Sequence, residues 1–175
     1  MKKDVKVGLV GFGTIGTGVV KVFHQNARLI EERLGVTITL ARIADLDVTT
    51  DRGVSVETGI LTTDADSVLT DPEIDLIIEL VGGYEPARTF VLKAIENGKH
   101  VVTANKALLA IHGQELIEAA TAKGVDIMFE AAVAGGIPVI SSIKENLCAN
   151  NFSSIFGILN GTCNYILSRM TNEGV

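Results

Sequence analysis

An apolar run, Val5-Lys6-Val7-Gly8-Leu9-Val10, leads directly into Gly11-Phe12-Gly13-Thr14-Ile15-Gly16. The run has the length of one buried strand, and the glycines have the spacing of a turn that reverses a strand into a helix. Gly11 permits the tight turn. Gly13 carries no Cβ, so a pyrophosphate can approach the backbone. Gly16 lets the following helix pack closely on the strand. The N-terminus of that helix presents unpaired N–H groups and a partial positive charge to an anion. The spacing alone is a weak signal. Its place after a strand, before a helix and almost at the start of the chain gives it weight.

The next segments extend the pattern. Ile15, Val19, Phe23, Ala27, Ile30 and Leu34 recur every three or four residues, which predicts a helix with one apolar stripe that Gly35 ends. Val36 to Ile43 is rich in β-branched residues and predicts a second strand. Asp45 follows it, 29 positions after Gly16. That exceeds the usual ~20, and the long first helix accounts for the excess. Asp45 stands either where a carboxylate takes the adenosine ribose hydroxyls or as an ordinary turn residue. Residues 47–59 are polar and irregular. A short helix over 64–69, capped by Thr62 or Thr63, comes next. Ile74 to Val81 reads as a strand covered on both faces, and Gly82-Gly83 leaves room for a ligand at its end. Helices over 85–96 and up to Lys123, with Gly98 and Gly124 past their ends, alternate with strands over 100–103 and 125–129.

Alternation from residue 5 to residue 129 predicts an α/β fold, a doubly wound parallel sheet of the Rossmann type with right-handed crossovers. Ligands in such sheets lie beyond the carboxyl ends of strands. Gly11 to Gly16, Asp45, Gly82-Gly83, Ala104 to Lys106 and Glu130 all fall there. Past Glu130 the pattern changes. Pro138 opens a helix to about Asn146, Phe152 to Leu159 alternates like a half-buried strand, and Asn164 to Thr171 begins another helix. The reading is a dinucleotide-binding domain over 1–131, and the opening of an α+β substrate and dimerisation domain, cut short, over 132–175.

Composition narrows the function. The net charge of −6 argues against a nucleic-acid footprint or an anionic membrane surface. No apolar stretch reaches ~18 residues, and the N-terminus lacks a signal-peptide core. The two cysteines, Cys148 and Cys163, have neither metal-ligand nor disulfide spacing. These features fit a soluble cytoplasmic protein. His24, His100 and His112 read as structural, Met128 and Met170 as core, and Cys163 as a small buried residue.

Five blocks, VGLVGFGTIGTGV, IIELVGGYEPAR, HVVTANKALLA, FEAAVAGGIPVI and GILNGTCNYILSRM, run in the order found in homoserine dehydrogenases, and the chain resembles that family over nearly its whole length. ANKALLA followed by FEAAVAGGIP is far more specific than the glycine motif. The resemblance implies interconversion of L-homoserine and L-aspartate 4-semialdehyde with NAD(P), a step of threonine and methionine biosynthesis. It implies that Phe12 to Ile15 line the pyrophosphate, and that Ala104 and Lys106 touch the nicotinamide end. It also implies that Glu130, with the backbone carbonyls of Val133, Gly135 and Ile137, holds a sodium ion. The full-length protein is expected to be a homodimer. Family members continue with a GYxExDPxxDxxGxD segment and a second lysine. The 175-residue chain by itself is therefore expected to bind cofactor without turning over homoserine.

The residues themselves bear on the chemistry. Oxidising an alcohol requires a base for its proton and stabilisation of the developing alkoxide. Lys106, directly after a buried strand, suits the second task. Glu130 ends an apolar strand, where a carboxylate either caps the next turn or, with carbonyls, holds a hard cation. Asn160 and Thr162 form a polar turn that either reaches substrate or is only a turn. Two rival functions are a dinucleotide sensor without turnover and a semialdehyde dehydrogenase using Cys163 as nucleophile. Asp45 with no basic residue immediately after it favours NAD over NADP. Arg52 is the nearest downstream cation able to reverse that preference.

Overall fold

The structure, a computed structural model, describes residues 4–158 and 160–174. Six parallel strands form one sheet in the order β3-β2-β1-β4-β5-β6. They are β1 (Asp4–Val10), β2 (Thr37–Ala44), β3 (Leu61–Thr62), β4 (Leu76–Glu79), β5 (His100–Thr103) and β6 (Ile127–Met128). The crossovers carry α1 (Thr14–Leu34) between β1 and β2, α2 (Ala65–Leu69) before β4, α3 (Ala87–Glu96) before β5 and α4 (Lys106–Lys123) before β6. The order reverses between β1 and β4, so their carboxyl ends open a crevice at the centre of the sheet. This is the doubly wound parallel fold that the alternation predicts.

Period-two alternation sorts the strand residues onto two faces. Leu9 and Ile43 pack with Phe12 and Val20 on the α1 side. Val10, Ala44 and Ile77 pack with Val68, Val91, Ala94, Leu108 and Leu116 under α2, α3 and α4. One helix covers the first face and three cover the second. The apolar stripe of α1 is only partly used, the 54–61 segment sharing that face. Val20 is buried and Val19, Phe23 and Ile30 are half-buried, whereas Ile15, Ala27 and Leu34 are exposed.

Several sequence expectations need correction. The short β3 was not foreseen, and Asp64, not Thr62 or Thr63, caps α2 by accepting from the Ser67 N–H at 3.2 Å. The strand expected over 125–129 pairs only at Ile127 and Met128, because it lies at the sheet edge with β5 as its single neighbour. Met128 points away from the core and is exposed, as alternation with buried Ile127 requires.

Beyond Met128 no strand occurs among the described residues. A 3-10 turn (Glu130–Ala132) leads to α5 (Val139–Ser141), which continues as a wider helical turn over Ser142–Asn146. Residues 152–158 form no ladder and are exposed; Leu159 lies outside the described residues. An alternating run needs neighbouring strands to satisfy its backbone, and none stands there. α6 (Gly161–Glu173) starts earlier than expected because Asn160 caps it, accepting from the Cys163 N–H at 2.9 Å. Every residue of α6 is exposed, so Cys163 and Met170 are not core.

The glycines of the first turn carry different constraints. Gly11 has φ +100°, and a Cβ there would lie 2.6 Å from the backbone of Leu80. A Cβ on Gly16 would lie 2.2 Å from the Gly11 carbonyl oxygen, whereas one on Gly13 meets nothing within 4 Å. Gly16→Ala should therefore destabilise the fold by about 1–3 kcal/mol, the usual cost of overpacking. Gly13→Ala should leave thermal unfolding nearly unchanged. Calorimetric unfolding of the two variants checks the contrast.

Candidate functional site

The crevice at the carboxyl ends of β1, β2 and β4 contains a cavity of about 370 Å³, lined by Gly11, Gly13, Asp45, Leu46, Pro86 and Phe90 among others. Backbone pairing builds its floor. The Gly11 N–H donates to the Ala44 carbonyl at 2.9 Å, and the Leu80 N–H donates to the Val10 carbonyl at 2.8 Å. Gly13 is the N-cap of α1, with no side chain capping the helix and no acidic residue in its first turn. Among the described residues, the amides of Thr14, Ile15 and Gly16 at the first turn of α1 have no side-chain cap, and beside them Gly13 leaves open space. An anion fits there, and a dinucleotide's pyrophosphate has the required charge and oxygens.

Phe12 behaves differently from the other residues of the turn. Its ring is buried, and its N–H donates to Asp45 Oδ2 at 2.5 Å, so it has no free amide for a phosphate. Asp45 is also engaged at Oδ1, which accepts from the Asp47 N–H at 2.8 Å and from Arg52 at 3.3 Å. The Arg52 guanidinium lies 5.2 Å from the centroid of the Phe12 ring and donates to the Asp47 carbonyl at 2.9 Å. Asp47 accepts from Thr50 and Thr49, and these bonds hold its carboxyl well below the usual carboxylate range. At the end of β2, two carboxylates and one guanidinium therefore share the rim of the crevice.

Across the switch point, the turns after β4 and β5 lie side by side. Glu79, the last residue of β4, is fully buried, and its carboxylate accepts from Val81, Gly82 and Thr103. Asn105 caps α4 through its Oδ1 and donates from Nδ2 to the Gly83 carbonyl at 2.8 Å. Ala104 is half-buried between these partners. Lys106, the first residue of α4, is exposed, and among the described residues no carboxylate pairs with its ammonium. It borders a second groove of about 430 Å³, shared with Leu109, Gly113, Gln114, Phe129 and Val133.

Glu130 lies beyond β6. Its Oε1 accepts from the Ile140 N–H at 2.9 Å and its Oε2 from the Ser141 N–H at 2.8 Å. Desolvation works against ionisation of this carboxyl. The bonds from Ser141 and Ile140 outweigh it, leaving the group below its ordinary range. Among the described residues no three His, Cys, Asp or Glu side chains cluster as a metal site, so a cation there would depend on backbone carbonyls. Asn160 and Thr162 lie at the exposed N-terminus of α6.

Sequence reasoning placed the glycine turn, Asp45, Ala104 and Lys106 at strand ends; the structure puts Gly11, Gly13 and Asp45 on the central crevice and Lys106 on the second groove, with Ala104 just before it. It missed Glu79, Thr103 and Asn105. The signal was present, since Glu79 follows three consecutive apolar residues, Leu76 to Ile78, in the run read as a buried strand. Arg52 could not be placed from sequence, because its position depends on the path of the 47–59 loop.

A parallel sheet with a glycine turn, an uncapped helix N-terminus and an acidic residue after the second strand defines a dinucleotide-binding α/β protein. Comparison with known proteins makes this specific. Residues 11–130 match the family model described as homoserine dehydrogenase, NAD binding domain, and residues 138–175 match the model described as homoserine dehydrogenase. The chain belongs to the homoserine dehydrogenase family. A homoserine dehydrogenase of Pseudomonas aeruginosa is 51% identical over 174 residues, covering 98% of this chain and 39% of the relative. One from Synechocystis is 46% identical over 170 residues, covering 97% of this chain and 39% of the relative. A crystal structure of a homoserine dehydrogenase from Thiobacillus denitrificans superposes with a TM-score of 0.87 at 49% identity, over 99% of this chain and 40% of that one. The chain thus spans about two-fifths of the length of the relatives it matches.

Because nothing in the protein occupies the space beside Gly13, Gly13→Val should unfold within a few degrees of the wild type while losing dinucleotide binding by at least about tenfold, the scale of one lost charge-assisted contact. Calorimetric titration with NADH checks this, and unchanged affinity would place the pyrophosphate elsewhere.

Proposed function

We propose that this chain is the cofactor-binding part of an enzyme that interconverts L-homoserine and L-aspartate 4-semialdehyde. The observation that carries this reading is the placement of two features on either side of the switch point. One is the open N-terminus of α1 beside Gly13; the other is the unpaired Lys106 ammonium at the head of α4. Family membership supplies the substrate. NAD(P) bound across the crevice would supply the hydride acceptor.

The geometry supports the following division of labour. Gly13 to Gly16 hold the pyrophosphate with backbone amides. Asp45 and its neighbours receive the adenosine ribose. Ala104 forms the wall on the nicotinamide side. Lys106 stabilises the oxyanion that develops as the substrate hydroxyl loses its proton, a task suited to a compact ammonium that no carboxylate among the described residues neutralises. Asn160 and Thr162 are assigned to the substrate side, and the segment from 132 onward to the substrate and dimerisation portion of the enzyme. Sodium is assigned to Glu130 with the carbonyls of Val133, Gly135 and Ile137. Each Glu130 oxygen accepts one backbone bond and keeps a further lone pair, and the left-handed backbone at Ala134 (φ 57°) and Gly135 (φ 61°) marks this segment as specially shaped.

For the cofactor, NAD is favoured over NADP. A 2′-phosphate at the end of β2 would face Asp45 and Asp47 against the single charge of Arg52. Arg52 tempers that repulsion without cancelling it. Arg52→Ala should widen the preference for NAD about tenfold, as expected for loss of one charge-assisted partner of the phosphate. Dissociation constants for NADH and NADPH on both proteins check this, and an unchanged ratio would remove Arg52 from cofactor choice.

The function is tested in the full-length protein by following reduction of NAD and NADP with L-homoserine as substrate. No homoserine-dependent reduction with either cofactor would overturn it. In the same assay, Lys106→Ala should lower kcat/KM for homoserine by about 10²-fold or more, in the range of a lost proton-transfer or charge-stabilising group. A raised cofactor KM with unchanged kcat would make Lys106 a binding residue only.

A further inference from the structure

The carboxylate of Glu79 is fully buried, and among the described residues its partners are all hydrogen-bond donors. Oε1 accepts from the Val81 N–H at 2.8 Å and the Gly82 N–H at 3.3 Å, and Oε2 accepts from Thr103 Oγ1 at 2.6 Å. Thr103 Oγ1 in turn accepts from the Asn105 N–H at 3.0 Å, and Asn105 Nδ2 donates to the Gly83 carbonyl at 2.8 Å. The bonds close a ring from Glu79 through the turn after β4 to Asn105, and back through Thr103. That ring ties together the two turns on the nicotinamide side of the crevice.

The sheet itself does not require this carboxylate. Ile77 fills the same strand with an apolar side chain. Burying a carboxylate where an aliphatic residue would pack is costly unless it is hydrogen-bonded, and here each of its donors among the described residues belongs to one of the two turns. Gly82 and Gly83 have φ of +80° and +71° and lack side chains with which to anchor themselves. Their turn is held through its backbone, from Glu79 on one side and Asn105 on the other. Asn105 also caps α4 and so determines where Lys106 begins.

We propose that Glu79 is a positioning residue: it locks the Gly82–Gly83 turn to the Thr103–Lys106 turn, and so sets the seat for the nicotinamide half of the dinucleotide. This rests on the cofactor reading above. The adenosine and pyrophosphate half is assigned to the start of α1 and the end of β2, and no hydrogen bond of the ring reaches either, although Val81 of the ring lines the same crevice. The two halves of the ligand therefore report separately.

The test is calorimetric titration of this chain and its Glu79→Gln variant with NADH and, separately, with ADP. The amide is nearly isosteric, but its Nε2 cannot accept: turned toward Thr103 it donates to Oγ1 and leaves the hydroxyl proton without its acceptor, and in either orientation the charge that the ring's donors share is gone. The dissociation constant for NADH should rise about tenfold or more, the scale of a lost charge-assisted bond, while that for ADP stays within about twofold. A general loss of structure would weaken both ligands alike, and that result overturns the proposal. So does unchanged NADH affinity in the folded variant. Thr103→Val, which removes the hydroxyl at nearly constant volume, should show the same split if Glu79→Gln does not fold. If neither variant folds, the ring is a folding device and the proposal falls. Failure of the wild type to bind NADH while the fold is intact would overturn the cofactor reading itself.

Discussion

The turn after β1 is squeezed between two backbones, and the rest of the molecule is built around that squeeze. Gly11 donates to Ala44 on one side while Leu80 donates to Val10 on the other. The approach to Leu80 is so close that only a residue without a Cβ fits, in a left-handed conformation only glycine adopts freely. The following helix starts hard against the same turn, since Gly16 sits over the Gly11 carbonyl. Its N-terminal dipole is thereby aimed at the point where the sheet order reverses. Both the direction of the α1 N-terminus and the position of the crevice follow from this one close approach.

On each side of that turn the protein holds its own polar groups in place. At the end of β2, Asp45 is bonded to Phe12, Asp47 and Arg52. At the ends of β4 and β5, Glu79, Thr103 and Asn105 join two loops that carry little apolar anchoring. Partly dehydrated carboxylates are stable in such places because each oxygen has a donor. Their cost is offset by rigidity. A ligand entering this crevice meets groups already oriented, so it need not order them on binding.

The alternation of strands and helices, the glycine turn, Gly35, Gly98 and Gly124 as helix stops, and the strand-end positions of Asp45, Ala104 and Lys106 were all legible in the chain. They depend on local periodicity and on backbone conformations that few residues can adopt. The edges of the fold were less legible. β6 shortened to two paired residues for want of a second neighbour. The alternating run from Phe152 formed no strand, because alternation shows only that a segment is able to pair, not that a partner stands beside it. For α6, the apolar residues Ile166, Leu167 and Met170 have helical spacing yet are exposed. Periodicity identifies a face without saying what covers it.

By itself, the sequence determined the fold class, the glycine turn and the family, since each rests on residue types at fixed short spacings. Tertiary structure decided what those residues do to one another. It placed Arg52 on Phe12 and Asp45, across a loop whose path no local rule predicts. It turned Glu79, one polar letter in an apolar strand, into the link between two turns separated by 20 or more residues of chain. It also gave Glu130 to the amides of Ile140 and Ser141, the capping role that its position after a strand allowed but did not require. Hydrogen bonds between distant segments depend on angles and distances that only the packed sheet sets, and a linear pattern carries no record of them.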